Sequence, residues 1–263
     1  MKNISAIESG RALCAVRRKI AAIEKQGKAR EPALLGHGPL DSVLGGGLPR
    51  GKLHELFAVK LADNTSAAGF AAMLASLVSE ENAPLFWLRE EAAEERGRLH
   101  APGLMEIGID PGRMVLVALP DPVALLRTAV DVVRCPSVGA AVIELWHSPR
   151  ALDLTATRRL SLAAETSGVT PLLLRVGAEP GSSAAQTRWS VHAAPSAGLE
   201  AEAPAWPALM VELLRQRGRP GGGYWHLEWD CDRTCFRGPA LPEPVVSTAS
   251  RRSMASGAWR QSG

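Results

Sequence analysis

Short apolar runs alternate with helix-patterned stretches along most of this chain, and that alternation limits its fold more than any other feature. Residues 52–59, 85–88, 114–118, 140–145 and 170–176 read as strands, with 188–193 a further candidate. Between them, 66–80, 122–134 and 154–167 carry apolar residues at helical spacing, and 104–110 reads as a short helix and turn. Strands apolar at consecutive positions are buried on both faces, as in a parallel sheet with helices on each side. The expected class is therefore α/β, a mostly parallel twisted sheet flanked by helices.

The pattern changes at both ends. Residues 210–215 and 224–230 flank a turn containing Gly218, Pro220, Gly221, Gly222 and Gly223. The second arm alternates Trp225, Leu227 and Trp229 with Tyr224, His226 and Glu228, which predicts a C-terminal β-hairpin with the tryptophans in the core. Residues 238–263 are rich in Pro, Ser, Ala and Arg and read as a disordered tail. Residues 11–28 place Leu13, Val16, Ile20 and Ile23 on one helical stripe and basic residues mostly on the other. The organisation expected is an N-terminal amphipathic helix and linker (1–38), a core (39–237) and a tail (238–263).

Composition excludes some function classes. A formal net charge of +3 is too small for the whole-chain field to argue for nucleic acid. Four scattered cysteines do not make a disulfide framework, and no signal-type or bilayer-length apolar run is present, so a cytoplasmic protein with reduced thiols is expected. His226, Cys231 and Cys235 lack a second ligand pair, so no metal is expected. His54 and His147, on or just after apolar strands, read as core histidines.

The most informative motif is a damaged one. The strand 52–59 follows the glycine turn Gly45-Gly46-Gly47 and runs into Ala58-Val59-Lys60-Leu61-Ala62-Asp63-Asn64-Thr65. A strand followed by G-x-x-x-x-G-K-[ST] makes a phosphate loop, because glycines let successive N–H groups converge and lysine neutralises phosphate charge. In that register Ala58 and Asp63 replace both glycines, Asn64 replaces the lysine, and Thr65 alone survives. Asp63 sets a carboxylate against phosphate. Residues 63–65 read instead as caps of the following helix. No catalytic residue and no cofactor is expected.

The glycine turn and the strand behind it resemble the lead into the nucleotide site of RecA-type ATPases, and the similarity spans most of 40–236. Glu90 stands where that family has the glutamate thought to polarise the attacking water, and Glu144 where it has its magnesium-associated aspartate. Residues 98–104, 144–146, 150–160 and 213–218 narrow the resemblance to ImuA, the inducible-mutagenesis family of bacteria. The resemblance implies a RecA-like core with a degenerate phosphate loop, in which Glu90 and Glu144 are relics. It further implies a non-catalytic accessory of SOS-induced translesion DNA synthesis. The partners implied are an inactive Y-family polymerase relative, an error-prone replicative-type polymerase and, by mimicry of its interface, RecA. A weak DNA contact is expected at 177–187, flanked by Arg175 and Arg188. Two alternatives stand beside this reading: a SulA-like cell-division inhibitor and a divergent DNA-dependent ATPase.

Overall fold

The computed structural model describes residues 30–196 and 206–239. The expected helix 11–28 and nearly all of the expected tail lie outside the described residues. Six strands run parallel: β1 (His54–Ala58), β2 (Leu85–Glu90), β3 (Met114–Leu119), β4 (Ala140–Trp146), β5 (Thr170–Val176) and β6 (Thr187–Ala193). Three more continue the sheet antiparallel: β7 (Ala208–Gln216), β8 (Tyr224–Asp230) and β9 (Cys235–Arg237). Their order among the described residues is β3-β2-β4-β5-β1-β6-β7-β8-β9.

The helices are α1 (Gly38–Leu44), α2 (Asn64–Val78), α3 (Ala101–Glu106), α4 (Pro122–Val133) and α5 (Leu154–Ser167). Every residue of β1 and β5 is buried, as consecutive apolar runs require. On one face α2 packs Phe70, Leu74 and Val78 onto the sheet. On the other, α4 and α5 contribute Leu125, Ala129, Val133 and Leu160. Asp121 starts α4 by accepting from the Val123 and Ala124 amides at 2.7 and 2.8 Å.

The predicted hairpin is β7–β8, and Trp229 is fully buried. Its ring meets Phe236 of β9 at 4.8 Å between centroids, and Phe236 meets Phe70 of α2 at 5.4 Å. These three rings join the helix of the parallel half to the antiparallel extension. Strand β9 has no counterpart in the sequence reading, because three residues are too few to show a period.

The glycine turn seats the chain ahead of β1. Asp41 of α1 accepts from the Leu35 and Gly36 amides at 2.9 and 3.1 Å, while its carbonyl accepts from Gly46 at 2.8 Å. Ala33 and Leu48 exchange two backbone bonds of 2.8 Å, and the Leu35 carbonyl accepts from Phe236 at 2.7 Å. Gly47 has φ 120° and faces the Ala33 carbonyl where a side chain would stand. Residues 33–36 are thereby held between the glycine turn and β9.

His54 opens β1 as a fully buried residue. Its Nε2 lies 2.9 Å from the Pro49 carbonyl, which can only accept, so Nε2 carries the proton. Nδ1 then accepts from the Thr187 hydroxyl at 2.7 Å, and that oxygen accepts from the Trp189 indole at 2.7 Å. The neutral form fits this chain, and burial lowers the imidazole pKa to about 4.

Candidate functional site

Open α/β sheets bind ligands in the crevice beyond the carboxyl ends of their parallel strands. Here that crevice is bounded by the segment after β1, the ends of β2 and β4, and the turn after β5. Each sequence-predicted residue can be placed there.

Ala58 ends β1, and its carbonyl accepts from the Gly177 amide at 2.8 Å. The chain then tightens into a single 3₁₀ turn, Leu61–Asp63, rather than opening into a ring of converging amides. The Leu61 side chain lies against Gly177 beside the His147 ring. Asp63 departs from the reading as a helix cap. It precedes α2 with helical backbone angles and gives the helix no side-chain bond. Its two oxygens instead reach β6, accepting from the Ala193 amide at 2.9 Å and from His192 Nδ1 at 3.0 Å. Burial pushes its pKa up, but these donors and the His192 and Lys60 charges outweigh burial and hold the carboxyl below its ordinary range. The capping role gave way because a fixed cation-capable partner on β6 outcompetes a free amide at the helix start.

Asn64 is the first residue of α2, and its buried Oδ1 has no partner among the described residues. Thr65 is exposed on a cleft of about 320 Å³, lined also by Gly69, Trp87, Arg96, His100 and Glu144.

Glu144 near the end of β4 has only 4% of its surface exposed. Oε1 accepts from Arg89 Nη2 at 3.1 Å and the Trp146 indole at 2.8 Å, and Oε2 accepts from the Trp87 indole at 2.8 Å. Arg89 is equally buried, and its other bonds go to the Gly97 and Ala93 carbonyls at 2.8 and 2.9 Å. A carboxylate whose two oxygens are both engaged, one of them by a guanidinium, is already neutralised and poorly placed to take a divalent cation. Glu90 ends β2 nearby, and burial raises its pKa against the opposing hydrogen bond of the Trp146 amide.

A magnesium–triphosphate group needs converging amides, a lysine and a carboxylate open to the metal. A 3₁₀ turn, Asn64 and the Arg89–Glu144 pair do not fit it.

Arg89 escaped the sequence reading. Its signal was a cation directly after the apolar run Leu85-Phe86-Trp87-Leu88, which needs a counter-charge if the strand carries it into the core. His147 also departs from its reading as a core histidine. It is exposed, adopts a left-handed φ of 58°, and has Nε2 3.5 Å from Arg96, whose guanidinium stacks 4.6 Å from the Trp146 ring centre.

Arg175 and Arg188 flank the loop between β5 and β6 as expected, but they are buried rather than presented to a ligand. Both turn to Glu55, at 3.8 Å from Arg175 Nη1 and 3.1 Å from Arg188 Nε. Arg175 also donates to the His147 carbonyl at 3.3 Å. The fold consumes these two charges, so phosphate contacts at that loop would have to come from elsewhere.

Among the described residues, no helix is long and apolar enough to cross a membrane. Searching protein-family models gives no match. Among solved structures, the chain is similar to a crystal structure of the RadB recombinase, with a TM-score of 0.53 and 14% identity, covering 79% of this chain and 100% of that one. That likeness shows the fold, which is RecA-like. Among curated proteins, Protein ImuA of two Caulobacter vibrioides strains, NA1000/CB15N and CB 15, is 35% identical over 202 residues, covering 70% of this chain and 77% of theirs. The similarity runs through most of both sequences, and the chain belongs to the ImuA family.

Proposed function

We propose that this chain is a non-catalytic RecA-like accessory of SOS-induced translesion DNA synthesis, acting as an adaptor for polymerase-like partners. The observation that carries the reading is the engagement of both Glu144 oxygens, and the pairing of its charge, by Arg89, Trp87 and Trp146. With no lysine at Asn64 and no free carboxylate at Glu144, the charge that develops in phosphoryl transfer has no partner. The divergent-ATPase alternative loses its chemistry on the same ground.

What remains is a scaffold with surfaces. Strand β3, which has one neighbour among the described residues and so forms an edge of their sheet, supports a partner role. Its Met-Val-Leu-Val-Ala-Leu sequence holds no charge and no proline, with Val115 and Leu116 40% and 43% exposed. Unpaired edges of this kind are templates for another chain unless they are covered. An inactive Y-family polymerase relative, an error-prone replicative-type polymerase and RecA are the partners this reading takes from the family resemblance.

Co-purification of the intact chain with these three candidates tests it, repeated with residues 1–30 or 238–263 deleted. Retention of at least one by the intact chain is the expected result. Retention of none overturns the adaptor role.

A further inference from the structure

Helix α4 carries two stripes, and the fold fully buries only one of them. Leu125, Ala129 and Val133 are buried against the sheet. The second stripe, Val123, Arg127, Val130 and Arg134, runs the length of the helix beside α5 at i, i+4, i+7 and i+11. Together with Leu126, Ala156 and Arg159 it lines a trough of about 540 Å³. Val123, at the start of the stripe, is 46% exposed.

The rim is cationic. Asp131 is the one carboxylate lining the trough, and it sits 3.9 Å from Arg134 with both side chains mostly in water, a pair worth little. Among the described residues, no carboxylate lies within ion-pair distance of Arg127, Arg158 or Arg159.

We propose that this trough docks an acidic amphipathic helix of a partner protein. Its apolar side chains cover the floor made by Leu126, Val130 and Ala156, and its carboxylates meet the arginines. Arg127 and Arg134 stand two turns apart, about 10 Å along α4 at ~1.5 Å per residue, so carboxylates two turns apart on the incoming helix fall in register. Charge selects this occupant. Of the chain's own segments outside the described residues, 1–29 and 240–263 each carry a cationic excess that does not complement the rim. Segment 197–205, with Glu200 and Glu202, is nine residues long and tied at both ends to β6 and β7 rather than to α4 or α5. A nucleic acid strand would satisfy the arginines but leave the apolar floor uncovered. The proposal deepens the adaptor reading and rests on it, because it gives a partner's chemistry and the face that partner meets.

The test compares the full chain with the variant R127E/R134E/R159E, all three being exposed positions, and thermal melting checks that the reversed chain is folded. Three probes are titrated: a synthetic amphipathic helix with glutamates two turns apart beside a leucine stripe, the same peptide with its leucines replaced by serine, and a single-stranded oligonucleotide of equal charge. The leucine peptide should bind the wild-type chain with marked salt dependence, and charge reversal should weaken it about tenfold or more. The serine peptide should bind about tenfold more weakly than the leucine peptide. Unchanged affinity on charge reversal, equal binding of the serine peptide, or binding of the oligonucleotide alone each overturns the proposal. Co-purification with the polymerase-like partners separates the two readings. Equal retention by wild type and variant overturns the trough and leaves the adaptor standing. Retention by neither overturns the adaptor, while the peptide titrations still decide the trough.

Discussion

Arg89 and Glu144 make a buried ion pair whose value lies in being complete. Removing the cation leaves Glu144 charged and almost wholly buried, which costs about 3–5 kcal/mol for pairs of this kind. We expect Arg89→Ala to lower the urea midpoint accordingly. The apolar double variant R89M/E144L should recover most of that loss, and strong non-additivity in this cycle is the signature to look for. Asp63→Gly restores a motif glycine but releases the bonds to Ala193 and His192. It should cost about 1–3 kcal/mol, with no gain of nucleotide affinity in a titration with a fluorescent ATP analogue.

His54 gives a pH signature. Its pKa is near 6.5 in the unfolded chain and about 4 when folded, so between those values the unfolded chain takes up a proton that the folded one refuses. Stability is complete above pH 6.5 and falls by about 3 kcal/mol as pH drops to 4. Urea unfolding at several pH values should show this slope in the wild type and its loss in His54→Leu. Asp63 acts in a lower window. Its depressed carboxyl adds stability that is present above its ordinary value of 3.8 and is lost as pH falls below it. The losses at Ala58, Asp63 and Asn64 were legible because a motif fixes their register. The bond from Asp63 to β6 and the capture of Glu144 by Arg89 were not, since each joins residues far apart in sequence.

At the scale of elements, the glycine turn separates backbone strain from collision. Gly46 and Gly47 both hold positive φ, 108° and 120°. Around Gly46 there is open space, whereas a methyl on Gly47 meets the Ala33 carbonyl, part of the backbone that seats residues 33–36. Gly46→Ala should cost about 1–2 kcal/mol, and Gly47→Ala about 3 kcal/mol or more. Thermal melts of the two variants check the ordering, and equal losses would contradict it. The strands β1 to β5 and the helices α4 and α5 were readable because each is long enough to show its period. The beginning of α2 fell two residues earlier than its pattern suggested, because Asn64 and Thr65 are helical without being apolar. Helix α1 has no counterpart in the sequence reading, since its seven residues include Gly38 and Pro39.

For the whole molecule, alternation of strand and helix gave the parallel half of the sheet, and the tryptophan-bearing hairpin gave the antiparallel half. Neither gives the strand order, which rests on pairings such as Leu56 with Leu174 and with Trp189 that no local pattern records. The resulting architecture keeps the frame of a nucleotide-binding sheet while an arginine and two indoles occupy the carboxylate that a metal would need. The most direct test of that account is ATP turnover by the full chain with magnesium, with and without single-stranded DNA. Turnover indistinguishable from a protein-free control, unchanged by Glu90→Gln, is the expected result. Measurable DNA-stimulated hydrolysis that Glu90→Gln abolishes would contradict it.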